Sequence, residues 1–323
     1  MIDFRYHLVS IVAIFLALTV GIVMGSTVLQ EPLIKSAEET TAQLRLGKEE
    51  LRRENVSLQE RESGYDAFVT AATPELVRGA LAGERVVIVE APGADAAVRE
   101  PLQDVLTTAG ATITGRVSLT EKFLAPDQAG FVDELAGTLK PAVVTFPAAA
   151  TTYDKAATVL ARAIITGDTA QSGKKDGDAA GVLSAFVDAG LATVDDRPDE
   201  RAALAVVIAP EVAYDGKAAE AQTGAVVSLA AALDASGRGA VLAGTATSAD
   251  TGGVVAALRD SGGADEKVSS VDAIDMSAGR AVVVYALREQ LSGRSGQYGT
   301  GPGATAFLPA GSPVPSPTTN AGG

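Results

Sequence analysis

The chain has no cysteine, no tryptophan, one histidine and three methionines in its 323 residues. Without cysteine there is neither a disulfide framework nor a thiolate metal site, and no redox compartment follows from the sequence. The one histidine, His7, stands ahead of a long apolar run, so a domain beyond that run has no imidazole. That excludes Ser-His-Asp and Cys-His catalysis there, together with histidine-based zinc sites. Only carboxylate chemistry would be left, and no enzyme is expected. Basic residues are scarce as well: 26 Lys and Arg stand against 40 Asp and Glu, a net charge of −14. No nucleic-acid partner is expected, because phosphate contact needs a basic face to displace counterions.

What the sequence does have is an uncharged run over residues 8–29, LVSIVAIFLALTVGIVMGSTVL. As a helix it spans roughly 33 Å, enough to cross a hydrocarbon core of about 30 Å. A cleaved signal peptide is the competing reading, but the run exceeds the usual h-region and no A-x-A-like site follows. The expectation is an uncleaved single-pass anchor over 1–30, with the bulk of the chain outside the cytoplasm. Ala13, Ala17, Gly21 and Gly25 recur every fourth residue, a strip of small side chains that lets two helix backbones approach in lipid.

The charged stretch 31–65 follows, with Leu44, Leu51 and Leu58 seven apart and Ala37 and Tyr65 in the same register. If the leucines are d positions, Thr41, Lys48 and Asn55 are a positions, and a buried Asn55 favours a parallel dimer. Two chains anchored in one bilayer are parallel already. A coiled-coil stalk in a homodimer is therefore expected, with a solvated single helix as the alternative, since the a layer is polar and Gly47 interrupts it. Pro32 marks a fresh helix start.

Beyond the stalk, Thr73 and Pro74 open a short helix to Leu81. Strands are then expected at 85–90, 111–119, 142–146, 203–209, 240–243 and 281–285. Helices are expected at 96–109, 131–139, 153–166, 181–190, 218–236 and 253–261, with a helical end through Leu291. This alternation describes an α/β fold with a mainly parallel, helix-covered sheet over 66–298. The Gly- and Asp-rich stretch 167–180 reads as a surface loop, so the sheet forms either one domain or two halves joined there. From 299 to 323 the composition turns to Gly, Pro, Ser and Thr, and disorder is expected.

Few motifs carry chemistry. The loop Ala91-Pro92-Gly93-Ala94-Asp95 lies where doubly wound folds hold phosphates, but it has one glycine and reads as a plain turn. Gly173-Lys174 lacks both the glycine spacing and the Ser or Thr of a P-loop. Asp195 with Asp196, and Asp272 with Asp275, lack calcium-loop spacing and read as solvated turns.

In this order, several segments resemble the actinobacterial MctB family, over residues 1 to about 303. They are RYHLVSIVAIFLALTVGIVMGS (5–26), the leucine-spaced stalk, ERVVIVEAPGAD (84–95), VSLTEKF (117–123), VSSVDAID (268–275) and GQYGTG (296–301). The resemblance implies a role in copper homeostasis or efflux at the cell envelope. The chain is also similar to SteB of the SteA–SteB envelope and division pair, which implies a SteA-like protein partner. No copper ligands are carried over, and no cofactor is evident from the residues, so copper enters by resemblance alone. Copper(I) favours thiolate or thioether and copper(II) imidazole, yet beyond the anchor only Met276 qualifies. One apolar helix also makes no pore by itself. Two expectations therefore stand side by side: a copper-homeostasis transport component, and a dimeric membrane-anchored scaffold without direct copper chemistry.

Overall fold

The apolar run and the charged stretch behind it both adopt helix in the computed structural model, which describes residues 4–28, 30–196 and 199–312. Helix α1 (Phe4–Val28) contains Arg5–Gly25, long and apolar enough to cross a membrane. Helix α2 (Gln30–Val77) has Pro32 in its first turn, where a missing N–H costs little. The chain divides into two units, Met1–Tyr65 and Asp66–Gly323. In the first unit Leu44, Leu51 and Leu58 are 69%, 67% and 54% exposed, and Asn55 is exposed too.

The second unit begins with the end of α2. Pro74, expected at a helix start, lies inside α2 three residues from its end. The helix persists through it because Val77 is fully buried and holds the last turn by packing rather than by propensity. There follow β1 (Arg85–Glu90), α3 (Arg99–Thr108), β2 (Thr112–Leu119), α4 (Glu121–Leu124), α5 (Ala129–Leu139), α6 (Thr152–Ile164), α7 (Gly177–Asp188) and β3 (Ala192–Asp196). The chain continues with β4 (Leu204–Ile208), α8 (Ala219–Ser236), β5 (Ala240–Ala243), α9 (Val254–Arg259), β6 (Ser269–Val271), α10 (Ser277–Gln290) and β7 (Gln297–Tyr298).

The strands form one seven-stranded sheet in the order β3-β2-β1-β4-β5-β6-β7, parallel except for the edge strand β3. Strands from both sides of 167–180 enter this sheet, so the α/β part is a single sheet rather than two halves. RVVIVE, LAVVI and AVLA are continuous apolar runs because both faces of the sheet are covered. On one face Val87, Val89 and Val207 pack with Leu160, Leu229 and Leu258. On the other, Val86, Ile88 and Val206 pack with Leu102, Leu106, Val283 and Leu287.

Further expectations fail here. Residues 281–285, expected as a strand, lie inside α10. Ala281, Val282, Val283, Val284, Ala286 and Leu287 are all buried, so the run lacks a polar face, and period alone does not separate a buried helix from a strand. Residues 142–146 form no strand; Val143 is 84% exposed, and Pro141 and Pro147 on either side withhold the ladder's N–H groups. Residues 299–312, expected to be disordered, fold back on β7: Gly299 N–H donates to Ala306 O (3.0 Å) and Thr305 N–H to Gln297 O (2.8 Å). The rest of that expectation, 313–323, lies outside the described residues.

Candidate functional site

In a doubly wound sheet the chain changes direction where consecutive strands stop being neighbours, and the loops there part to leave a crevice. Here the change falls between β1 and β4: β2 lies on one side of β1, while β4, β5, β6 and β7 continue on the other. The loops after β1, β2 and β4 enclose a cleft of about 800 Å³. Pro92 and Gly93 come from the first connection, Leu124 at the end of α4 and Pro126 just after it from the second, and Pro210 to Asp215 with Lys217 and Ala218 from the third.

The floor is braced. Tyr214 Oη donates to Pro92 O (2.8 Å), and Glu211 N–H donates to Gly93 O (3.0 Å). Thr247 Oγ1 donates to Glu211 O (2.6 Å), so both backbone groups of Glu211 are fixed. Burial pushes the Tyr214 phenol well above its ordinary range, so it remains a neutral donor. Gly93 adopts φ +85°, and a Cβ there would press on Pro210. The one glycine of the 91–95 loop thus serves a close approach of two loops, while Asp95 accepts from Ala97 N–H (2.8 Å) to cap the turn that follows.

Four charged side chains line this cleft: Glu121, Glu211, Asp215 and Lys217. All four residues are exposed, and none of these side chains makes a hydrogen bond or ion pair among the described residues. A second hollow of about 770 Å³ lies between α8 and α9, with Tyr214 common to both.

Several charges elsewhere are consumed by structure. Asp272, at the end of β6, is fully buried and accepts from Arg259 (2.8 Å), Thr300 N–H (2.8 Å) and Gly301 N–H (3.0 Å). Arg259 also donates to Ser270 Oγ, Pro302 O and Tyr298 O. One ion pair therefore ties VSSVDAID to GQYGTG, and Gly299 leaves the space that Asp272 occupies. Glu90 is likewise buried and holds Arg99 and Ser118 Oγ. Asp66 caps α10 from α2: Ser277 N–H donates to Oδ1 (2.7 Å) and Ser277 Oγ to Oδ2 (3.0 Å).

The residues singled out in the sequence divide accordingly. Ala13, Ala17, Gly21 and Gly25 lie in α1, and Leu44, Leu51, Asn55 and Leu58 in α2, all exposed, and none is among the residues that line the cleft. The two aspartate pairs do not form cation sites. Asp195 pairs with Arg116, and Asp272 is taken by Arg259 while Asp275 is exposed. Both pairs had read as solvated turns, yet Asp195 and Asp196 end the edge strand β3 and Asp272 is buried. Among the described residues no group of three His, Cys, Asp or Glu is placed to hold a metal ion. Sequence reasoning missed Glu211, Tyr214, Asp215 and Lys217. The signal was there in APEVAYDGK, a Pro- and Gly-bounded loop following the buried strand LAVVI, matching APGAD after RVVIVE.

Fold and site together define a doubly wound α/β domain, with a crossover cleft, behind an N-terminal apolar helix of membrane-spanning length. Comparison with known proteins gives this architecture a family. Residues 1–309 match the family described as "Copper transport outer membrane protein, MctB". The chain is 30% identical over 311 residues to the copper transporter MctB of Mycobacterium tuberculosis (strain H37Rv), covering 94% of this chain and 98% of that one. It is also 30% identical over 318 residues to the copper transporter MctB of Mycobacterium leprae, covering 95% and 99%. The chain belongs to the MctB family.

Proposed function

We propose that this protein serves copper homeostasis at the cell envelope, as a single-pass membrane-anchored component whose α/β domain stands outside the cytoplasm. The observation that carries this reading is the match to a copper transport family along 1–309, anchor and domain alike. The apolar stretch Arg5–Gly25 supports the anchoring. The fold favours binding over conduction: the described strands form one open sheet covered on both faces, and a β-barrel pore needs a closed sheet with one face to lipid. In the test, the gene is deleted in its host and copper tolerance is measured. The full chain restores tolerance, and a chain lacking residues 4–28 does not; unchanged tolerance in the deletion would contradict the reading.

A second reading, a dimeric scaffold of envelope or division machinery like SteB, draws on a separate observation. Leu44, Leu51 and Leu58 are each more than half exposed in the single chain, and a heptad seam in water is stable when a second helix covers it. In this reading two copies pair in parallel through α2, Asn55 facing Asn55, with Ala13, Ala17, Gly21 and Gly25 at the contact in the membrane. Their shared domains then recruit a SteA-like protein, and copper is affected through that partner. Replacing the three leucines by alanine should turn a dimer into a monomer in sedimentation of the detergent-solubilised chain. A wild-type chain that sediments as a monomer would remove this reading.

A further inference from the structure

The crossover cleft combines unpaired carboxylates with an apolar floor. Around the sheet, carboxylates sit against arginines: Glu90 with Arg99, Asp195 with Arg116, Asp176 with Arg201, Glu84 with Arg238, Asp272 with Arg259. In the cleft, Glu121, Glu211 and Asp215 have no such partner, and Lys217 offsets one of the three charges. Beneath them the floor is apolar and rigid, made of Pro92, Pro210, Leu124 and the ring of Tyr214. Glu211, held at both its N–H and its carbonyl, presents its carboxylate from a fixed point.

We propose that this cleft binds a small organic cation, an ammonium or guanidinium group carried on an apolar body. Its volume of about 800 Å³ falls within the range of small-molecule sites, roughly 300–1,000 Å³. Its position, outside the carboxyl ends of three neighbouring parallel strands where the strand order reverses, is the one from which open α/β sheets bind ligands. The charge sets the ligand's sign. A cation meets a net charge of two uncompensated carboxylates, and the same net charge repels an anion. The apolar floor sets its body, since a fully hydrated metal ion has nothing to gain there. Cross-bracing of the 91–95 and 209–218 loops leaves little to be ordered on binding. The inference is independent of the copper reading.

The test uses the full chain in detergent, titrated with benzamidine and with its neutral counterpart benzamide, followed by calorimetry. Benzamidine binds saturably and benzamide does not, and raising the salt weakens the binding. The double variant E211Q/D215N lowers benzamidine affinity about tenfold or more, as expected when charge-assisted hydrogen bonds become neutral ones. Lys217→Ala leaves it equal or tighter. Both carboxylates are exposed, so the variants keep the fold, which an unchanged melting temperature verifies. Equal binding of benzamide, no saturable binding of benzamidine, or an undiminished affinity in the double variant overturns the proposal.

Discussion

Single residues in this molecule matter most where a charge has been taken out of water. Asp272 and Arg259 are 0% and 3% exposed at their side chains, and together they join β6, α9 and the 296–303 segment. Removing one partner strands the other in a dry site, which costs about 3–5 kcal/mol, whereas a surface pair costs under about 1. We expect Asp272→Asn to lower the denaturant midpoint accordingly, with hydrogen exchange rising first at Thr300 and Gly301. A loss below about 1 kcal/mol would contradict this assignment. Asp234 shows the opposite sign. Burial raises its carboxyl above the usual range, against Ala240 N–H and Lys267, which lower it. A raised folded pKa means that stability is fully present below the unfolded pKa and is lost as pH rises through the folded one. Asp234→Asn keeps an acceptor for Ala240 N–H and removes the charge. The variant should therefore equal or exceed the wild type in stability at neutral pH, with the difference vanishing in acid, as thermal melts across pH would read.

Elements carry the next set of consequences. The end of α2 and the start of α10 are joined through Asp66, which takes the place of a cap that Met276 at the N-cap position lacks. Asp66→Ala should cost about 0.5–2 kcal/mol, as loss of an N-cap does, and loosen the first turn of α10 in hydrogen exchange. This link joins residues 211 positions apart, and no local pattern shows it. The central strands were legible because burial on both faces leaves an unmistakable apolar run: RVVIVE, LAVVI and AVLA end within a residue of their expected limits. Where the same property occurs in a helix, the pattern misleads. α10 is buried along AVVV and looks like a strand until its fourteen-residue length is known. The short strands β3, β6 and β7 were invisible, because ATVDD, SSV and QY contain too few apolar residues to show a period. The segment 299–312 misled for another reason. Gly299 and Gly301, a sign of flexibility by composition, are where backbone passes close to Asp272.

At the scale of the whole molecule, the N-terminal apolar helix of membrane-spanning length and the α/β class could be read from the sequence, as could the family. The cleft could not, since it is made of loops that follow three separate strands and meet only when the sheet assembles. The same whole-molecule view frames the copper question. Soft metal binding is a matter of donor inventory, and the domain beyond the N-terminal apolar helix offers Met276 and carboxylates, without cysteine or histidine. That inventory favours no tight copper site in the domain itself. Calorimetric titration of the full chain in detergent, with cuprous and with cupric copper, tests this most directly. The account predicts no saturable binding tighter than micromolar; stoichiometric binding below that limit, weakened by Met276→Leu, would contradict it.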